Sequence, residues 1–288
     1  MMKKMNFKVL VVVGLVGLLS ACNQDAELIP DLDTASLALD SEIESDFDDV
    51  DNFVAEGVEG LVYNSNSGAR TNGQWRRHLP DCAVVTHDFE AMTITIDFGE
   101  GCEGKGGKVF SGVIFITYTD RKFIPGSIVT TTFENFMVDG KLIEGTRVSE
   151  NISASLEDNP TFHITLTGGK ITLEDGTFAT KEADKIKVWI RALNPLNDEY
   201  HILDGSVTNG VSFDGLDYNT LIVETLVYKN ICKLEGVHIP VAGVKEVTKG
   251  DMFYSIYFGD GECDNLVEVT SNGETRTVEL NRRRRMNG

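Results

Sequence analysis

Two stretches of this 288-residue chain end a strand-like apolar run with closely similar chemistry. They are Ile96-Asp97-Phe98-Gly99-Glu100-Gly101-Cys102 and Ile256-Tyr257-Phe258-Gly259-Asp260-Gly261-Glu262-Cys263. Carboxylates on a glycine-bearing turn can ligate a hard cation, and a thiol can staple the chain. In the second stretch Asp260, Glu262, Asp264 and Asn265 offer oxygen ligands of the kind calcium takes. Their spacing does not fit an EF-hand loop, and the first stretch has only Glu100 and Glu103, so a solvated acidic turn is the plainer reading. No CxxC or close His–Cys spacing suggests zinc. Apart from Cys22 there are four cysteines, Cys82, Cys102, Cys232 and Cys263, an even number that suits disulfides in an exported chain. Three pairings are possible. The local pairs Cys82–Cys102 and Cys232–Cys263 are favoured, since each brackets one hairpin-like unit and Lys249-Gly250 sits near the midpoint of the second. Closing loops of this size contributes about 3 kcal/mol each by restricting the unfolded chain.

Motifs for catalysis are missing. The chain has no GxSxG, and Gly210 to Gly215 (GVSFDG) fails the spacing of a nucleophile elbow. It has no HExxH, no GxxxxGK[ST] and no GxGxxG opening a helix. His78, His87, His163, His201 and His238 lie on separate segments. A glycosidase carboxylate pair has no short signature, yet the expectation is that the protein is not an enzyme. Trp75 beside Arg76 and Arg77, and Trp189 near Arg191, combine aromatic and cationic groups as sugar-binding sites do, although packing is the commoner role of a tryptophan.

The elements that must position these residues are strands. MTITIDF (92–98) alternates apolar and polar, and VFSGVIFITYT (109–119), SIVTTTF (127–133), TFHITLT (161–167), KIKVWI (185–190), TLIVETLVY (220–228) and MFYSIYF (252–258) share its β-branched and aromatic character. Asp139-Gly140, Gly168-Gly169, Asp175-Gly176, Asp204-Gly205, Asn209-Gly210, Asp214-Gly215 and Asn272-Gly273 read as tight turns between antiparallel neighbours. Before them, Leu39, Ile43, Phe47, Val50, Val54, Val58 and Leu61 recur every three or four residues, the mark of an amphipathic helix, with Ser41 and Glu44 spaced as a capping box. The expected fold is all-β. A large antiparallel, hairpin-built sandwich and a curved sheet or half-barrel are the alternatives, with one N-terminal amphipathic helix. A doubly wound nucleotide-binding fold is excluded, because no helices long enough for crossovers interrupt the strands.

The amino terminus is a targeting segment. Lys3, Lys4 and Lys8 precede an apolar run from Val9 to Leu19, and Leu19-Ser20-Ala21-Cys22 looks like a bacterial lipobox. That resemblance implies cleavage before Cys22, a covalent diacylglycerol or acyl lipid carried through its sulfur, and attachment to a membrane. No aspartate follows Cys22, which favours an outer-membrane lipoprotein, either surface-exposed or periplasm-facing. The domains expected are a signal peptide (1–21), an acidic flexible tether (22–38), the amphipathic helix (39–61), a single β domain (75–281) and a basic tail (282–288). The chain carries 26 Lys and Arg against 45 Asp and Glu. Without the three leader lysines the net charge falls from −19 to −22, which argues against nucleic acid or anionic lipid headgroups as the main ligand. Thirteen of the acids lie between Asn23 and Ala69, where there is no Lys or Arg.

Taken together, the lipobox leader, the acidic segment, Cys82, the Ile96–Cys102 strand end, Gly259-Asp260-Gly261-Glu262-Cys263-Asp264-Asn265, the Asn272-Gly273 turn and the final Thr277-Val278-Glu279-Leu280 run resemble predicted envelope lipoproteins of Bacteroidetes. The resemblance covers most of the mature chain. It implies an envelope lipoprotein and carries no functional residue across. The remaining expectation is a non-enzymatic binding or structural role, with a glycan or an envelope protein as partner, or carriage of lipid or lipoprotein on an open apolar sheet face.

Overall fold

The computed structural model describes residues 46–47, 49–58, 79–104 and 107–280, all within one compact unit spanning Asp33–Gly288. The leader, Cys22, the tether, Trp75, His78, the Ser41/Glu44 capping pair and the basic tail lie outside the described residues.

Residues 46–47 and 49–58 are helical (α1). Fifteen strands follow: β1 Val84–Asp88, β2 Thr93–Asp97, β3 Cys102–Glu103, β4 Val109–Tyr118, β5 Ile128–Val138, β6 Lys141–Asn151, β7 Thr161–Thr172, β8 Phe178–Ile190, β9 Glu199–Ile202, β10 Val207–Val211, β11 Asp217–Lys229, β12 Ala242–Lys249, β13 Met252–Asp260, β14 Leu266–Ser271 and β15 Glu274–Glu279. A short helix, α2, spans Asn230–Lys233. All the strands join one antiparallel sheet in nearly sequential order, with β9 and β10 sharing the place between β8 and β11. The sandwich alternative is thereby corrected. Successive strands bond to one another as they come, so no strand leaves to start a second layer.

Turn chemistry explains most of the connections. Asp139-Gly140, Asp175-Gly176, Asp204-Gly205, Asp214-Gly215 and Asn272-Gly273 all stand between strands as expected. Gly168-Gly169 and Asn209-Gly210 do not, for they lie inside β7 and β10. Gly169 and Gly210 serve close backbone approach instead: a Cβ on Gly169 would stand 2.3 Å from the Lys181 carbonyl oxygen, and one on Gly210 2.1 Å from that of Thr180. Register shifts mark β-bulges along the sheet, and Gly112 shows why they need glycine. It sits at φ 77° in the shift between Ser111 and Val113, where a Cβ would lie 2.1 Å from the Asn135 oxygen. Bulges of this kind bend a strand and raise its twist.

α1 lies on one face of the sheet, called here the inner face. Phe47, Val50, Phe53, Val54 and Val58 pack with Ile94, Ile96, Ile114 and Ile116 into the main core. Phe53 sits among Phe98 (ring centroids 5.3 Å) and Phe110 (4.9 Å, edge-on), and Phe98 also meets Phe136 at 5.6 Å. Burying a phenylalanine in this way stabilises the fold by roughly 2–3 kcal/mol. The helix is also held by charge. The fully buried Asp46 bonds Lys108 (2.7 Å) and Lys141 (2.5 Å), Asp49 also reaches Lys108, and the buried Glu56 accepts from the Leu79 N–H at 2.9 Å.

Candidate functional site

The two cysteine-bracketed units are built alike. Cys82 and Cys102 stand at disulfide distance (Cα–Cα 5.7 Å), and so do Cys232 and Cys263 (5.0 Å). The first pair spans the β1–β2 hairpin and the second the β12–β13 hairpin, whose turn is Gly250-Asp251, one residue past the expected Lys249-Gly250. Asp97 Oδ1 accepts from the Gly99 N–H, and Gly99 adopts φ 62° to turn the chain after Phe98. In the second unit the turn expected after Phe258 is displaced: Gly259 (φ 87°) stays within β13 at a register shift, Gly261 (φ 113°) follows the strand's end, and Lys229 Nζ donates to the Gly261 oxygen at 2.7 Å. Asp264 closes its own turn by accepting from the Leu266 N–H. Among the described residues no group of three His, Cys, Asp or Glu side chains is placed to hold a metal ion.

The concentrated chemistry lies elsewhere, in two adjoining cavities on the inner face. The first, about 230 Å³, opens between α1 and strands β5 to β9. Its wall on β8 follows from alternation: Lys181, Ala183, Lys185, Lys187 and Trp189 are two residues apart and share a face. Hydropathy alone would have turned Ile186, Val188 and Ile190 inward. The strand instead presents three lysines to the space beside the helix. Lys122, Arg147 from β6 and Lys233 from α2 join them, with Asp51 of α1 as the acid of that wall.

Aromatic rings and a single carboxylate organise these cations. Lys181 lies over the Phe47 ring (5.0 Å), Lys187 over Tyr200 (5.0 Å), Lys233 over Tyr200 (5.5 Å) and Lys122 over Phe162 (5.5 Å). Arg147 Nη2 bonds Asp51 Oδ2 at 2.5 Å, with Lys187 Nζ 3.9 Å from the same oxygen. Burial alone would raise the Asp51 carboxyl. The fields of Arg147, Lys187 and Lys122 outweigh it and hold the group below its ordinary value.

The second cavity, about 130 Å³, continues along β10 to β13. Buried Ile222, Leu226, Val247, Ile256 and Phe258 form its apolar wall, and no described residue of α1 reaches it. Lys185, Ile202 and Tyr228 line both cavities, so the two are contiguous. Polar side chains share the lining, among them Thr208, Ser212, Thr220, His238, Lys245 and Lys249, the last bonded to Asp214 at 2.8 Å. Burial would raise the Asp214 carboxyl, but bonds from Lys249 and Ser212 lower it.

Trp189 is in the first cavity's wall, but its contacts are structural. Its Nε1 donates to Asp198 at 2.9 Å, and the ring stacks on Tyr200 and leans on Phe123. His163 bonds Asp184 and His201 bonds Glu199, each at 2.8 Å, while His87 stacks on Phe89. These histidines remain on separate parts of the sheet. The six cations were missed in the sequence because they come from segments up to 111 residues apart, Lys122 to Lys233. The K-x-K-x-W alternation of residues 185–189 was the legible trace. Searches against family models, curated proteins and solved structures return no match to the chain.

Proposed function

We propose that the protein is a lipid-anchored, non-enzymatic protein of the outer membrane that holds a hydrophobic ligand on the inner face of a half-barrel. The anchor rests on the leader and Cys22, and the resemblance to Bacteroidetes envelope lipoproteins agrees with it. The observation that carries the ligand is the apolar wall of β11 to β13, contiguous with the space beside α1. A sheet face that buries its apolar side chains around a cavity, with a few polar groups among them, is the usual form of a small-molecule site. Carriage of lipid within the envelope is the use that best joins this site to a membrane anchor.

The test is extraction of the natively purified mature chain, with Cys22→Ser to remove the covalent lipid, followed by mass spectrometry of the organic phase. A stoichiometric lipid that is lost on placing tryptophan at Val247 or Ile256 supports the reading. A lipid-free protein whose apolar cavity takes up no added acyl chain overturns it. Labelled palmitate incorporation checks the anchor, and protease treatment of intact cells decides whether the β domain faces outward or the periplasm.

A further inference from the structure

We propose that the end of the sheet carrying α2 is a membrane-docking rim, whose exposed apolar tips enter a zwitterionic phospholipid bilayer. Antiparallel pairing sends alternate connections to opposite ends of a sheet. The β1–β2, β4–β5, β6–β7, β8–β9, β11–β12 and β13–β14 connections therefore share one end, and β5–β6, β7–β8, β10–β11 and β12–β13 the other. Phe89, Ile152, Leu156, Leu193, Leu196 and Leu234 are exposed in the first set. Among the described residues between strands, Leu216 is the single large apolar side chain exposed at the opposite end. One exposed leucine needs no explanation, but six such side chains gathered on the loops of one end mark an interaction surface.

Three observations commit this end to a membrane. Both cavities run to it: Lys122, Phe123 and Lys233 line the first and His238, Ile239 and Pro240 the second, all from connections at this end. An acyl chain leaving a bilayer at the rim enters the lined space without crossing water. The length of the chain permits the approach. α1 begins with Asp46 against Lys108 and Lys141, which flank the opposite end. Residues 23–45 separate Asp46 from Cys22 and can reach at most about 80 Å. β8, thirteen residues long, covers about 43 Å, so an anchor on Cys22 and the rim can meet one membrane. Charge selects the lipid. The connections at this end, 89–92, 119–127, 152–160, 191–198, 230–241 and 261–265, hold eight Asp and Glu against four Lys and Arg. That excess repels anionic headgroups, whereas the ammonium groups of phosphatidylcholine or phosphatidylethanolamine suit it.

This surface goes beyond the lipid-carriage reading above, and the two are tested apart. The mature Cys22→Ser chain, which lacks the covalent lipid, is mixed with phosphatidylcholine vesicles and separated by flotation. The protein should float with them, and replacing part of the lipid by phosphatidylglycerol should weaken the binding. Leu156→Ser, Leu193→Ser and Leu234→Ser together should lower partitioning at least about tenfold, and Leu216→Ser at the opposite end should leave it unchanged. Thermal melting of each variant guards against misfolding. Failure of the parent to float, an equal loss in Leu216→Ser, or tighter binding to the phosphatidylglycerol vesicles overturns the proposal. A dimer that the three serines dissolve, seen by ultracentrifugation of a parent that does not float, gives the tips to a second copy and overturns it too. Bound lipid in a protein that does not float overturns the docking rim and leaves the ligand reading standing. Flotation of a protein whose cavity takes up no acyl chain supports the rim and overturns the ligand reading.

Discussion

Phe98 and Phe258 belong to two similar units: Phe98 directly follows β2, Phe258 lies two residues inside the end of β13, and each is followed by two glycines and a stapled cysteine. They meet opposite surroundings. Phe98 is locked among Phe53, Phe110 and Phe136 beneath α1, whereas Phe258 faces a cavity whose wall no described residue of α1 joins. The same local device thus supports a filled core in one half of the sheet and a lined space in the other. What differs is the helix. Phe53 and its neighbours fill the inner face beside Phe98, Phe47 and Val54 border the first cavity, and no described residue of α1 reaches the second.

The comparison is most directly broken by truncating both rings. Phe98→Ala is expected to cost about 3–5 kcal/mol in urea denaturation, because its surroundings are already close-packed. Phe258→Ala should cost roughly half as much, since a side chain bordering a cavity gives up fewer contacts. Equal losses would mean that the two halves are packed alike. Next in size is the charge that seats the helix: Asp46→Ala removes the buried carboxylate shared by Lys108 and Lys141 and should cost about 3 kcal/mol. Circular dichroism should report helix loss only if α1 detaches as a unit. Removing Cys232 and Cys263 together should cost up to about 3 kcal/mol, and the same is expected of Cys82 and Cys102. A much smaller loss in either unit would show that its hairpin is held by strand pairing alone.

The smallest expected effect concerns pH. Asp51 titrates below its ordinary range in the folded protein, so its ion pairs contribute fully above the unfolded carboxylate pKa of about 4. That contribution falls as pH drops through the folded value. Asp51→Asn should therefore be less stable than the parent at neutral pH, with the gap closing in acid. A gap that stays constant between pH 7 and pH 2 would show that Arg147 and Lys187 do not act through this charge.

Local chemistry was readable in the sequence wherever partners are close along the chain. The alternating runs became strands, five of the seven glycine dipeptides became turns, and the cysteines paired within their own hairpins. The described part of the expected helix, residues 46–58, is helical apart from the undescribed position 48. The single sheet was not readable, because alternation shows which side chains share a face and is silent about what lies against that face. The helical periodicity did not show where Asp46, Asp49 and Asp51 point: they pair with Lys108, just before β4, and with Lys141 and Arg147 of β6. Net charge is a sum over the surface and is silent about where Lys181, Lys185 and Lys187 gather, on one inward face of β8.

Sequential strand order has a consequence for how the chain reaches this state. From β4 to β8 and again from β10 to β15, each strand's partner is its immediate predecessor or successor. Low sequence separation of contacts speeds folding of a β protein relative to one that must close long crossovers first. The sheet can therefore grow from one end as strands become available, with each new hairpin templated by the edge before it. The exception is the insertion of β9 beside β10, where β8 must hold both before β11 can seal them. That junction adjoins Lys185, Lys187 and Tyr200, so its closure coincides with assembly of the cationic wall.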